Sequence, residues 1–161
     1  MNVNFYRKNS CRLCNSKKLE DVIKLSPTPP GNNFLSKKQL NKPENFYPLI
    51  VRFCQNCSHV QLADVVNPEI LFQDDYKYVS GTSSVFIEHF RQYAEDVLAQ
   101  FRIPARALVA DIGSNDGTCL RFFKEAGFNV LGVDPATEIA AKAAAEGIPT
   151  VADFFSESLG K

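Results

Sequence analysis

The sequence predicts an α/β chain in two parts, a small four-cysteine module followed by the opening half of a parallel-sheet domain. Three observations predict it. Two Cys-x-x-Cys pairs stand at Cys11/Cys14 and Cys54/Cys57, short apolar runs alternate with helix-period segments beyond residue 105, and glycines at 113 and 117 punctuate the first of those alternations. With 161 residues and 45% hydrophobic composition, the chain can bury one ordinary core or two small ones.

Residues 1–66 form the first part. They are rich in Pro, Asn, Lys and Cys, and their apolar residues fall in short runs, Tyr47 to Phe53 and His59 to Val65, which predict brief strands and turns. The stretch Pro27-Thr28-Pro29-Pro30-Gly31-Asn32 is expected to be a surface loop, since its prolines fix φ and lack amide donors. Each Cys-x-x-Cys pair is the spacing with which a tight knuckle presents two thiolates to one ion, and two knuckles complete a tetrahedron. Cys11, Cys14, Cys54 and Cys57 are therefore expected to bind Zn(2+), and four thiolates leave no open position, so the ion is structural. Incidental buried cysteines are the plain alternative, and a thioredoxin-like redox pair would need a preceding strand and a following helix that neither flank offers. His59 is expected to be a surface side chain rather than a ligand, and the fifth cysteine, Cys119, to be core.

Residues 67–104 are expected to form a helical linker. Pro68 suits the first turn of a short helix carrying Ile70, Leu71 and Phe72, and a polar, aromatic connector follows from Tyr76 to Ser84. From Ser84 to Phe101, Phe86, Phe90, Tyr93, Val97, Leu98 and Phe101 recur at three- and four-residue steps, the pattern of a one-faced helix that Pro104 ends.

Residues 105–161 alternate strand and helix. Apolar runs at Ala107 to Ile112, Val130 to Val133 and Thr150 to Val151 are separated by helical segments at Cys119 to Ala126 and Glu138 to Ala145, which predicts a parallel, Rossmann-like sheet. The turn after the first run reads Asp111-Ile112-Gly113-Ser114-Asn115-Asp116-Gly117-Thr118. A dinucleotide fingerprint would have glycine where Asn115 stands, and no Gly-Lys-Ser/Thr follows to make a P-loop, so a cationic amino-acid group suits this turn better than phosphate. The second strand ends at Asp134, seventeen residues beyond Gly117, where a carboxylate can accept both hydroxyls of a ribose. Asp153 and Phe154 end the third and can meet an adenine amino group and ring. Each also has a plainer explanation: Asp134 before Pro135, and Asp153, as helix-capping turns, and Phe154 and Phe155 as core.

Composition narrows the partners. Eighteen basic and eighteen acidic residues cancel, so no long-range field gathers the chain onto nucleic acid or an anionic membrane. The amino terminus, MNVNFYRKNSC, lacks the pattern of a secretory signal, and no run of eighteen apolar residues occurs, so a soluble, cytoplasmic location is expected.

The cysteine pairs, Val60-Gln61-Leu62 after the second pair, the Tyr76-x-Tyr78-x-Ser80-Gly81 connector and, above all, Asp111 to Thr118 give the chain a family likeness along nearly its whole length. It resembles the zinc-containing, S-adenosylmethionine-dependent sugar C-methyltransferases of deoxysugar biosynthesis, in which a four-cysteine module precedes a class I (Rossmann-like) methyltransferase domain. The resemblance implies methyl transfer from S-adenosylmethionine to a carbon beside the keto group of a nucleotide-linked 4-keto deoxyhexose. It implies cofactor contacts at Asp111, Gly113, Ser114, Asn115, Gly117, Asp134, Pro135, Asp153 and Phe154, and substrate contacts at Tyr76, Tyr78 and Ser80. Ser58-His59 departs from the family, where a glycine commonly follows the second cysteine pair.

Carbon alkylation beside a ketone needs a base and a group that stabilises the enolate, and neither stands out in the sequence. His89 is expected on a helix surface. A class I sheet has about seven strands against the three read here, so the chain is expected to be an amino-terminal portion with an exposed apolar sheet edge, prone to association. Two alternatives remain at this stage: a methyltransferase with another small-molecule acceptor, and a non-catalytic zinc-binding interaction module.

Overall fold

The computed structural model describes residues 4–73 and 76–161. Residues 1–3 of the amino-terminal stretch, and residues 74 and 75 within the 67–104 segment, lie outside the described residues. The chain divides into two compact units between Leu71 and Phe72.

The first unit is antiparallel. Strands β1 (Phe5–Arg7) and β5 (Asp64–Val66) pair with each other, and β2 (Leu19–Thr28), β3 (Tyr47–Cys54) and β4 (Val60–Leu62) form a sheet in that order. β2 and β3 are longer than the brief strands expected. Two irregularities, between Asp21 and Ile23 and between Leu25 and Thr28, let β2 follow β3 despite an imperfect alternation of its side chains. Pro27 lies inside β2 rather than in the loop, beside the second irregularity on an outer strand, where a missing amide costs the ladder nothing. Pro29 onward turns away as expected.

Register explains the side-chain chemistry. Ile23, Val51 and Leu62 stand opposite one another across the sheet, and so do Asp21, Arg52 and Gln61. Arg52 Nε donates to Asp21 Oδ1 at 2.6 Å, and Arg7 forks onto Asp64 at 2.9 and 3.0 Å, tying β1 to β5. The helix α1 (Pro68–Phe72) begins with Pro68, whose missing amide is an orphan at that position in any case.

The second unit carries a parallel sheet, β6 (Leu108–Ile112), β7 (Asn129–Val133) and β8 (Thr150–Val151), in sequence order. α3 (Thr118–Glu125) links β6 to β7 and α4 (Thr137–Ala145) links β7 to β8. α2 (Ser84–Gln100) is capped by Ser83, whose hydroxyl accepts from Phe86 N–H at 3.4 Å. Ala94 of α2 packs with Leu120, Phe123, Val130, Ala143 and Ile148, and Val97 and Leu98 flank that cluster. The rest of its apolar stripe is less covered than the periodicity predicts: Phe86, Tyr93 and Phe101 are 46%, 51% and 60% exposed. β6 forms one margin of the sheet, and its Leu108 and Ile112 are also more than half exposed. Among the described residues no helix is long and apolar enough to cross a membrane.

Gly117 shows how sequence dictates the turn into α3. Its φ of +74° favours glycine, and a Cβ there would stand 2.8 Å from Ile148 Cγ2. Gly117→Ala therefore adds left-handed strain to overpacking. The expected loss is about 2–4 kcal/mol in the second unit, read by urea denaturation.

Candidate functional site: a four-thiol centre and a cavity at the strand ends

The first centre is built by two similar turns. In one, Asn15 N–H donates to Cys11 carbonyl at 3.0 Å; in the other, Ser58 N–H donates to Cys54 carbonyl at 2.8 Å. Asn15 and Ser58 both adopt left-handed backbone, with φ of 59° and 60°. That explains the glycine common after the second pair in the family it resembles: Ser58 takes the same conformation at some cost. Gln61, nearly buried, clasps the first turn to β4 by accepting from Arg12 N–H at 2.8 Å and donating to Ser10 carbonyl at 3.2 Å.

These turns bring Cys11, Cys14, Cys54 and Cys57 together, with all four sulfurs within 4.8 Å of one another. Cys11 Sγ lies 3.6 Å from Cys57 Sγ, and Cys14 Sγ lies 3.7 Å from Cys54 Sγ. A tetrahedral zinc with 2.3 Å bonds requires sulfur separations of about 3.8 Å, so the thiols fit that ion. His59 serves through its backbone, its carbonyl accepting from Cys54 N–H at 2.8 Å.

Without metal the thiols titrate unequally. The Ser16 amide first, then the neighbouring thiols and Asn56, bring Cys14 down to about 6. The His59 amide pulls Cys57 the same way, but Cys14, burial and the other thiols outweigh it and push Cys57 up to about 12. A cation that draws off the protons resolves this crowding.

The second centre is a cavity of about 480 Å³ at the carboxyl ends of the parallel strands, where open α/β sheets bind ligands. Ile112 and Gly113 reach it from β6, and Val133, Asp134 and Pro135 from β7. Aromatic walls come from Tyr76 and Tyr78 on one side of the sequence and Phe154 and Phe155 on the other; Ser80, Asn115 and Asp153 add polar atoms. Among the described residues its charged lining is Asp134 and Asp153, with no Lys, Arg or His. Such a lining suits a cation and opposes a phosphate.

Gly113 presents bare backbone to this space. Its φ is +80°, and a Cβ added there would meet nothing within 4 Å. Asp134, 6% exposed, accepts from Asn115 N–H at 2.8 Å and from Ala136 N–H at 2.9 Å, so it braces the glycine turn and the start of α4 while lining the cavity. The capping explanation and the ligand explanation for this residue thus share one carboxylate, each oxygen retaining a second lone pair. Asp153 accepts from Phe154 N–H at 2.7 Å and is otherwise exposed.

Three residues of the expected cofactor set do not line the cavity. Ser114 is buried against Gly132, and its hydroxyl has no hydrogen-bond partner among the described residues. Gly117 faces Ile148. Asp111 alternates to the other face of β6, beside Tyr93, Val97 and Cys119 in a smaller cavity of about 180 Å³. The strand's period of two sends Asp111 and Ile112 to opposite faces, so proximity to the turn did not decide which one meets the larger cavity.

Burial first, and the Asp134 charge second, raise the Asp111 carboxyl above its ordinary 3.8. An acid whose folded value exceeds its unfolded one binds more protons when folded, so stability falls as pH rises from the unfolded value through the folded one. Asp111→Asn is therefore expected to raise the melting temperature at neutral pH. The gain should vanish once pH falls below the ordinary aspartate value, as thermal unfolding across pH would show. Burial, and then the charges of Asp134 and Tyr78, also raises Tyr76 above its ordinary 10.

Sequence comparison adds two findings. Residues 11–72 match a family described as "Putative zinc binding domain". The chain is 31% identical over 153 residues to C-methyltransferase NovU of Streptomyces niveus, an alignment covering 95% of this chain and 36% of that protein. The chain thus carries the zinc-binding domain of that family over residues 11–72, and along nearly its whole length it is similar to about a third of a C-methyltransferase.

Proposed function

We propose that the chain supplies the zinc module and the cofactor-binding opening of an S-adenosylmethionine-dependent C-methyltransferase. The observation that carries this is the acidic, aromatic-walled cavity at the strand ends, where Gly113 offers bare backbone and none of the described lining residues is basic. Asp134 would take the ribose hydroxyls, Pro135, Asp153 and Phe154 the adenine end, and Gly113 and Asn115 the amino-acid end. Asp111, Ser114 and Gly117 would contribute by shaping the turn. Bound there, S-adenosylmethionine supplies an electrophilic methyl group.

The acceptor that fits this family is a carbon beside the keto group of a nucleotide-linked 4-keto deoxysugar, entering past Tyr76, Tyr78 and Ser80. Loss of that carbon's proton to a base would develop charge on the keto oxygen, and a phenol on the cavity wall would donate to it. Tyr76, on the cavity wall, would be that donor. The zinc holds the first unit in shape, no nucleic-acid or membrane partner is required, and a cytoplasmic location accords with substrates of this kind.

Calorimetric titration of the zinc-loaded chain separates this reading from a nucleotide-binding one. S-adenosylmethionine is expected to bind and NAD⁺ not to bind. Tight NAD⁺ binding would overturn the assignment. Lack of both, with the chain folded and one zinc present, would favour a zinc-dependent interaction module.

A further inference from the structure

The connector from Tyr76 to Thr82 has no sheet or long helix to hold it, yet it supplies an aromatic wall of the cavity. Two side chains of the glycine turn grip it. Asn115 uses both ends of its amide, its Oδ1 accepting from Ser80 N–H at 2.9 Å and its Nδ2 donating to Tyr78 carbonyl at 3.0 Å. Asp116, one residue on and outside the cavity lining, accepts from Gly81 N–H at 2.9 Å through Oδ2. Its other oxygen accepts from Thr118 N–H at 3.1 Å and Thr118 Oγ1 at 2.7 Å.

The approach is close. A Cβ on Gly81 would stand 2.5 Å from Asp116 Oδ2 and 2.7 Å from Thr118 Oγ1, so glycine is needed for the backbone to reach the carboxylate. Asp116 is 8% exposed, and a buried carboxylate held by an amide, a hydroxyl and the start of a helix is a fixed point. Ser80 and Tyr78 lie one and three residues before Gly81.

We propose that Asp116 is the positioning residue for the aromatic wall: through Gly81 it latches the Tyr76–Ser80 segment onto the glycine turn and so sets affinity at a cavity it does not touch. This rests on the cofactor reading above for the identity of the ligand. The latch itself follows from the protein's own contacts.

The test uses the whole zinc-loaded chain, amide hydrogen exchange by NMR, and titration with S-adenosylmethionine. Asp116→Ser keeps an oxygen for the Thr118 amide but is too short for Gly81; Gly81→Ala strikes the same contact from the other side; Asp116→Asn retains an acceptor at full reach. In the serine and alanine variants, exchange at Ser80 and Gly81 should quicken about tenfold or more, and by more than any change at the β6 and α3 amides, which report the general destabilisation that the lost bond or the added methyl brings. Affinity should fall about tenfold, and Asp116→Asn, with one acceptor oxygen where the carboxylate has two, should fall between the serine variant and the wild type. Unchanged exchange at Ser80 and Gly81 would overturn the latch. Faster exchange with undiminished affinity would overturn its role in positioning. Failure of the cofactor reading would appear in the wild-type titration; failure of the latch would appear only in the variants.

Discussion

Chelating the metal is expected to unfold the first unit while the parallel sheet of the second persists. The reason lies in what the first unit buries. Among its described residues the buried hydrophobic groups are Cys11, Tyr47, Cys54 and Ala63, so half of that small core consists of zinc ligands. Val22, Ile23, Leu25 and Phe34 are each at least half exposed. A module this poor in apolar burial depends on its ion, and structural zinc contributes an apparent binding free energy of about 10–16 kcal/mol at neutral pH. Hydrogen exchange with and without a strong chelator reads the effect directly: β2, β3 and β4 amides should lose protection and β6, β7 and α3 amides should keep it. Cys54→Ser should reproduce the chelated state, and Cys119→Ser should not.

The second large effect is expected at Asp134. Its two carboxylate oxygens satisfy the amides of Asn115 and Ala136. Asp134→Ala leaves both donors without a partner in a nearly closed site, at roughly 1–3 kcal/mol each. Loss of S-adenosylmethionine affinity should accompany this destabilisation, since the same carboxylate lines the cavity. Asp153→Asn separates the two effects. Asp153 is exposed and caps only its neighbour's amide, so stability should change by less than about 0.5 kcal/mol while affinity falls. Urea denaturation and calorimetry on the two variants make the comparison. Equal destabilisation by both would contradict it.

Local chemistry made much of this legible in the sequence. The parallel sheet could be read from apolar runs broken by helix-period segments, and the thiol centre from paired spacing, because both signals repeat within a few residues. The grip of Asn115 and Asp116 on residues 78–81 was not legible, since it joins side chains and backbone far apart in the chain. Gln61 is similar: its place in Val60-Gln61-Leu62 marked it, but its clasp on Arg12 and Ser10 depends on β4 lying beside the first knuckle. Asp111 illustrates a different limit. Its place before Gly113 suggested the cavity, and the alternation of β6 turns it to the other face. The exposed side of α2 shows that periodicity reveals an apolar stripe without revealing how much of it is covered.

Chemical-shift mapping of the zinc-loaded chain with S-adenosylmethionine tests the central claim most directly. The expected result is saturable shifts at Gly113, Asn115, Asp134, Asp153 and Phe154, with Tyr76 and Tyr78 moving in step and the zinc knuckles silent. Shifts centred elsewhere, or none from a folded, zinc-loaded chain, would contradict the assignment of this cavity to the cofactor.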